Sequence, residues 1–138
     1  MDLKRWLLAA VGTFGIILLG DMLIHQVWLG DFYRAHAQWW RPADQMESVR
    51  GLMFASQALL ATFLSFVYAK GYEAGKGGLV QGFRFGIIMG LLLGLPSNLM
   101  NLVVYPYPPF LILTWMGGTV IEMTVAGMMI GYIYKPSK

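Results

Sequence analysis

The sequence predicts an all-α integral membrane protein: one bundle of four transmembrane helices spanning residues 1–138, with both termini cytoplasmic and no soluble domain. Three observations predict it. Of the 138 residues 57% are hydrophobic and 12% charged, with a mean hydropathy of +0.58, far from the balance of a soluble domain. Four apolar stretches each reach the about 20 residues a helix needs to cross roughly 30 Å of hydrocarbon. Lys and Arg divide unequally between the two sets of loops. A β-barrel is excluded, because its strands alternate over about ten residues and the run from Phe85 to Leu95 does not alternate.

The first helix is expected at about 6–29. Lys4-Arg5 before an apolar run, with Ala35-His36-Ala37 beyond it, imitates a secretory signal and its cleavage site. The run is too long for a signal core and Asp21 interrupts it, so it reads as a retained first span. An outer surface loop, 30–43, follows, with Phe32, Tyr33, Trp39 and Trp40 suited to the headgroup region. Pro42 ends any helix there, and Asp44 with Glu47 three residues later predicts the N-terminal cap of a second helix, about 44–69. The link from Gly71 to Gly78 is flexible, and its glycines do not form a phosphate loop, since no Gly-Lys-Ser/Thr follows a strand. A third helix, about 79–104, and a fourth, about 110–134, are joined by the tight turn Tyr105-Pro106-Tyr107-Pro108-Pro109.

Charge sets the expected orientation. Lys4, Arg5, Lys70, Lys76, Arg84, Lys135 and Lys138 share one side; Arg34, Arg41 and Arg50 on the other are offset by Asp31, Asp44 and Glu47. The positive-inside rule then puts both termini in the cytoplasm. The net charge of +3 is scattered around span ends and does not cluster with exposed aromatics, so no nucleic-acid partner is predicted. With no Cys, disulfides, thiolate catalysis and thiol redox chemistry are excluded. Ser56, Ser65 and Ser97 lack a nucleophile elbow. No internal repeat is visible.

Gly82, Gly86, Gly90 and Gly94 fall four apart on one stripe of the third helix. Lipid tails are as apolar as Leu, so helices associate in a membrane through close backbone approach, which glycine permits. Three partners suit the stripe: Gly51 and Ala55 of the second helix, Gly127 and Gly131 of the fourth, or the same stripe in another copy, making a homo-oligomer.

The candidate site residues are polar groups inside the spans: Asp21 and His25, Gln57, Asn98 and Asn101, and Glu122. Charge at bilayer depth costs about 3 kcal/mol on insertion scales, so such groups face the bundle or water. Counting about 1.5 Å per residue, His25, Gln57, Asn98 and Asn101 fall roughly 5 to 11 Å below the outer boundary, Asp21 roughly 13 Å and Glu122 roughly 18 Å, near the midplane. This placement predicts a polar vestibule opening outward, with Glu122 at its base, Asp21 and His25 on its wall, and Pro96 loosening the third helix beside it. The alternative roles are structural: Asp21 paired with His25, and the asparagines bonded between helices. Asp21, His25 and Glu122 form a sensible nitrogen and oxygen set for a metal but lack a ligand spacing, and two histidines are too few for a bis-His haem bundle. Neither metal nor cofactor is predicted.

Asp21 seven residues before Trp28-Leu29-Gly30, then Phe32-Tyr33, an Asn late in the third helix and an acid after Trp115 in the fourth resemble small uncharacterised four-helix bacterial membrane proteins. The resemblance implies the fold and a bacterial inner membrane, and no activity. The expected function is transport or conduction of a proton, cation or small polar solute, in a homo-oligomer or with other membrane subunits. The alternatives are a non-catalytic accessory subunit of a larger membrane complex and, third, a cofactor-binding or lipid-modifying membrane enzyme.

Overall fold

The computed structural model describes residues 1–135; Lys138, counted in the charge set above, lies outside them. Helix α1 (Leu3–Asp21) begins behind Asp2, whose carboxylate accepts from the Arg5 backbone N–H at 3.1 Å, satisfying one of the orphan donors of a helix start. At Asp21 the winding changes, and Met22–Trp28 continues as a π-helix that closes with the Leu29 N–H donating to the Ile24 carbonyl five residues back. The expected surface loop is itself wound, as the short α2 (Gly30–Ala35) and a 3-10 turn, Ala37–Trp39. The chain then crosses back and forth as α3 (Ala43–Lys70), α4 (Gly78–Val104) and α5 (Pro109–Ile133). Leu3–Trp28, α3, α4 and α5 are each long and apolar enough to cross a membrane, and no strand occurs among the described residues.

Local chemistry explains the boundaries and corrects one. Helix α3 starts directly behind Pro42, and no side chain caps it. Asp44 is already inside the first turn, where its charge meets the positive end of the helix dipole, and Glu47 pairs with Arg50 instead of reaching back. The expected Asp-x-x-Glu cap is therefore not formed, because the helix starts behind Pro42, two residues too early for Asp44 to be the cap. Pro109 opens α5 at a position whose N–H would be unpaired in any residue. Gly75, at φ +87°, makes the turn between α3 and α4. Helix α4 runs unbroken through Pro96, flanked by the Ser97 hydroxyl donating to the Leu93 carbonyl at 2.6 Å and the Asn98 amide to that of Gly94 at 2.8 Å.

The four long helices line up in the order α3, α1, α5, α4, with α1 and α5 inside and α4 packed chiefly on α5. The α4–α5 contact is made by glycine. Gly82, Gly86, Gly90 and Gly94 are all buried, and Gly78, Gly82, Gly86, Gly90 and Gly94 face Gly131, Gly127, Met123 with Thr124, Val120, and Thr119 in turn. A Cβ on Gly86 would stand 2.6 Å from the Thr124 Cα, and one on Gly90 would stand 2.8 Å from the Val120 Cα, so backbone lies against backbone. Around Gly51 of α3 there is open space.

The buried core gathers toward the end of the molecule that carries the termini. It comprises Ala9, Ile17, Ala61, Leu64, Tyr68, Met123, Ala126, Ile130 and Tyr134. There the Tyr68 hydroxyl donates to the Gln81 side-chain oxygen at 3.0 Å and closes α3 onto α4. Toward the opposite end, which carries α2, the packing opens: every residue of α3 from Ala43 to Ser56 except Val49 is exposed. Large apolar side chains cover the outside, such as Val27 at 72% and Val103 at 82% exposure, a surface suited to lipid and unsuited to water.

Candidate functional site

The last residue of α1 carries the first functional side chain. Asp21 accepts a hydrogen bond from the Gln57 amide of α3 through one carboxylate oxygen, and the other lies 3.8 Å from His25 Nε2. His25 Nδ1 stands 2.7 Å from the Tyr33 hydroxyl, and the same hydroxyl accepts from Trp115 Nε1 at 2.8 Å. Indole N–H only donates, so the Tyr33 oxygen is the acceptor there, and its bond with His25 Nδ1 runs in the direction set by the His25 tautomer. In the Nε2–H tautomer of neutral His25 the ring accepts from Tyr33 and turns its N–H toward Asp21. Gln57, Asp21, His25, Tyr33 and Trp115 thus form one relay joining α3, the first span, α2 and α5.

The π-helix supports this arrangement. Bonding five residues apart puts more residues into each turn, so the side chains after Asp21 leave the stripe a plain α-helix would give them, and such segments recur at functional sites. His25 stacks on Tyr33, with centroids 5.9 Å apart and planes at 14°. Burial pushes the Tyr33 phenol above its ordinary value, the Trp115 hydrogen bond pulls it back and the charge of Asp21 adds to the rise, so Tyr33 remains a neutral donor.

His25 lines two cavities. One, of about 580 Å³, lies under α2 and includes Tyr33, Arg34, Trp40, Arg41, Met46 and Trp115 in its wall. The other, of about 520 Å³, lies between α1 and α3 and includes Asp21, Gln26, Phe54 and Gln57.

Glu122 faces elsewhere. It sits in a cleft of about 310 Å³ between α1 and α5 whose other walls are apolar, among them Ile16, Leu19, Leu23 and Ile121. Its carboxyl fills the place of a missing side chain at Gly20, where a Cβ would stand 2.5 Å from Oε1, and Oε1 is buried without a hydrogen-bond partner. Asp21 and Glu122 therefore open onto different clefts on two sides of α1. The single vestibule expected from depth is divided, and Asp21, His25 and Glu122 do not converge on one ion. Asn98 is buried and donates within its own helix to Gly94, and the Asn101 carbonyl accepts the Tyr105 N–H that ends α4. Neither joins the relay. Equal depth does not imply a shared face, and only Asp21, His25 and Gln57 of the expected set are brought together.

Tyr33, Trp115, Arg34, Trp40 and Arg41 were not expected here. Tyr33 and Trp40 read as interfacial aromatics, and 82 positions separate Tyr33 from Trp115, with no local signal for their pairing. Among the hydroxyls of the spans, those of Thr62, Thr114, Thr119 and Thr124 donate to carbonyls one turn back, and those of Thr13 and Ser65 are buried without a hydrogen-bond partner. Comparison with protein families, with curated proteins and with solved structures finds no match to this chain.

Proposed function

We propose that this protein is a small membrane transport or conduction protein, with both termini cytoplasmic, that takes up a proton or a small polar solute from the outer side at Asp21, His25 and Gln57. The observation that carries the reading is the chain of contacts from Gln57 through Asp21 and His25 to Tyr33 and Trp115, with His25 lining two cavities. A carboxylate beside an imidazole whose other nitrogen shares a hydrogen bond with a phenol is an arrangement that can receive and pass on a proton. The cluster of Lys4, Arg5, Lys70, Lys76, Arg84 and Lys135 near the other end supports the orientation. Glu122 of α5, in its own cleft against α1, is a second protonatable group.

Vesicles containing the reconstituted chain and an internal pH dye test this. Relaxation of an imposed pH gradient, alone or with small polar solutes added, should exceed that of empty vesicles and fall at least tenfold in Asp21→Asn and His25→Gln. Flux unchanged in both variants would refute the reading.

The accessory-subunit reading has one observation of its own. The first four turns of α3 are exposed, and nothing lies within 4 Å of a Cβ built at Gly51, leaving a small-residue face, Gly51 with Ala55, of the kind that helices pack against. Extraction in mild detergent that recovers this chain in stable stoichiometry with different chains would favour it over transport by the chain alone.

A further inference from the structure

The cavity under α2 has a lining of unusual chemistry. Its charged groups are the guanidinium groups of Arg34 and Arg41, and its wall contains no carboxylate and no side-chain amide. Arg41 makes no ion pair among the described residues, and Arg34 is held by Asp31 in a pair exposed at 73% and 96%, which contributes little in water. The Tyr33 hydroxyl and His25 Nδ1 are engaged with each other, and the hydroxyl with Trp115. The remaining side chains offer the two guanidinium groups, set in an otherwise apolar wall. Trp40 is held by Tyr107 and Trp115, at ring separations of 5.4 and 6.3 Å, so the wall is built in advance of any ligand.

We infer that this cavity binds a membrane lipid with an anionic headgroup, its phosphate taken by Arg34 and Arg41 and the start of its acyl chains lying along Met46 and Trp115. Guanidinium groups, which only donate, select an acceptor-only group, which a phosphodiester is. The apolar remainder selects an amphiphile over a free anion, and about 580 Å³ lies within the range of ligand-sized sites. Aromatic rings and arginines at the end of the spans also match headgroup depth. The inference goes beyond the transport reading and does not need it, since the lipid touches neither Asp21 nor Gln57.

Trp40 and Trp115 are built-in reporters. The full chain in phosphatidylcholine nanodiscs is doped with phosphatidylglycerol brominated on its acyl chains, or with equally brominated phosphatidylcholine, bromine quenching indole fluorescence on contact. Phosphatidylglycerol should quench at about one tenth the mole fraction that phosphatidylcholine requires. The difference should vanish in Trp40→Phe/Trp115→Phe and in Arg34→Gln/Arg41→Gln, partly return in Arg34→Lys/Arg41→Lys, and persist in Asp21→Asn even where flux is lost. Equal quenching by the two lipids in the unaltered chain would overturn the proposal, as would a difference that survives loss of both arginines. Inorganic phosphate that abolishes the difference at constant ionic strength would show a free-anion site instead and equally overturn it.

Discussion

The α4–α5 pair and the α2 end of α3 are opposite solutions to packing in an apolar solvent. Between α4 and α5 seven glycines, five on α4 and two on α5, bring two backbones together, with no room for a single added carbon along most of the contact. At the α2 end, α3 stands nearly free from Ala43 to Ser56, and what links it to α1 there includes one hydrogen bond, Gln57 to Asp21. Dense packing resists change, whereas a few polar contacts beside open cavities can be rearranged at small cost. The densely packed pair supplies the frame, and the loosely packed end carries Gln57, Asp21 and His25.

The contrast breaks first at the glycines. Gly86→Leu forces a side chain into the Thr124 backbone and should destabilise the protein by about 3 kcal/mol or more, read as earlier unfolding in a detergent titration followed by circular dichroism. Next is Gly20→Ala, whose methyl takes the volume of the Glu122 carboxyl. It should cost about 1 to 3 kcal/mol, and most of that should be recovered in the Glu122→Ala background; a cost independent of residue 122 would place Glu122 elsewhere. Tyr33→Phe removes the hydroxyl shared by His25 and Trp115 and should cost about 1 kcal/mol.

The pH dependence of that loss has a definite sign. Burial raises the Tyr33 phenol, so its contribution is fully present below the unfolded value of about 10 and is lost as pH rises through the folded value. Between pH 6 and 9 the cost of Tyr33→Phe should therefore show no dependence on Tyr33 ionisation, and above pH 10 the gap between the two proteins should close. Smallest is Gly51→Ala, in open space on α3, which should be neutral or stabilising by up to about 1 kcal/mol through helix propensity. A large loss there would mean that the free face of α3 is covered by another chain.

Much of the frame was legible in the residues alone. Apolar length reports a helix able to cross a membrane, because an apolar bilayer leaves the backbone no other partner than itself, and the four spans fall within a few residues of the expected bounds. Spacing by four reports one helix face, so the stripe on α4 was visible, though not which of its three candidate partners it meets. The site was legible only as residue types. Asp21, His25 and Gln57 stood out as polar groups in apolar runs, as did Glu122, Asn98 and Asn101.

Sequence by itself determined the number of spans, their approximate ends and which side chains are costly to place in a membrane, since these depend on transfer free energy and on local periodicity. Tertiary structure alone decided which of those side chains meet. The π winding after Asp21 re-aims His25, α2 folds back to set Tyr33 between His25 and Trp115, and the approach of α5 to Gly20 turns Glu122 into a separate cleft. Each of these depends on how one helix is rotated against another, and rotation is set by contacts between residues far apart in the chain.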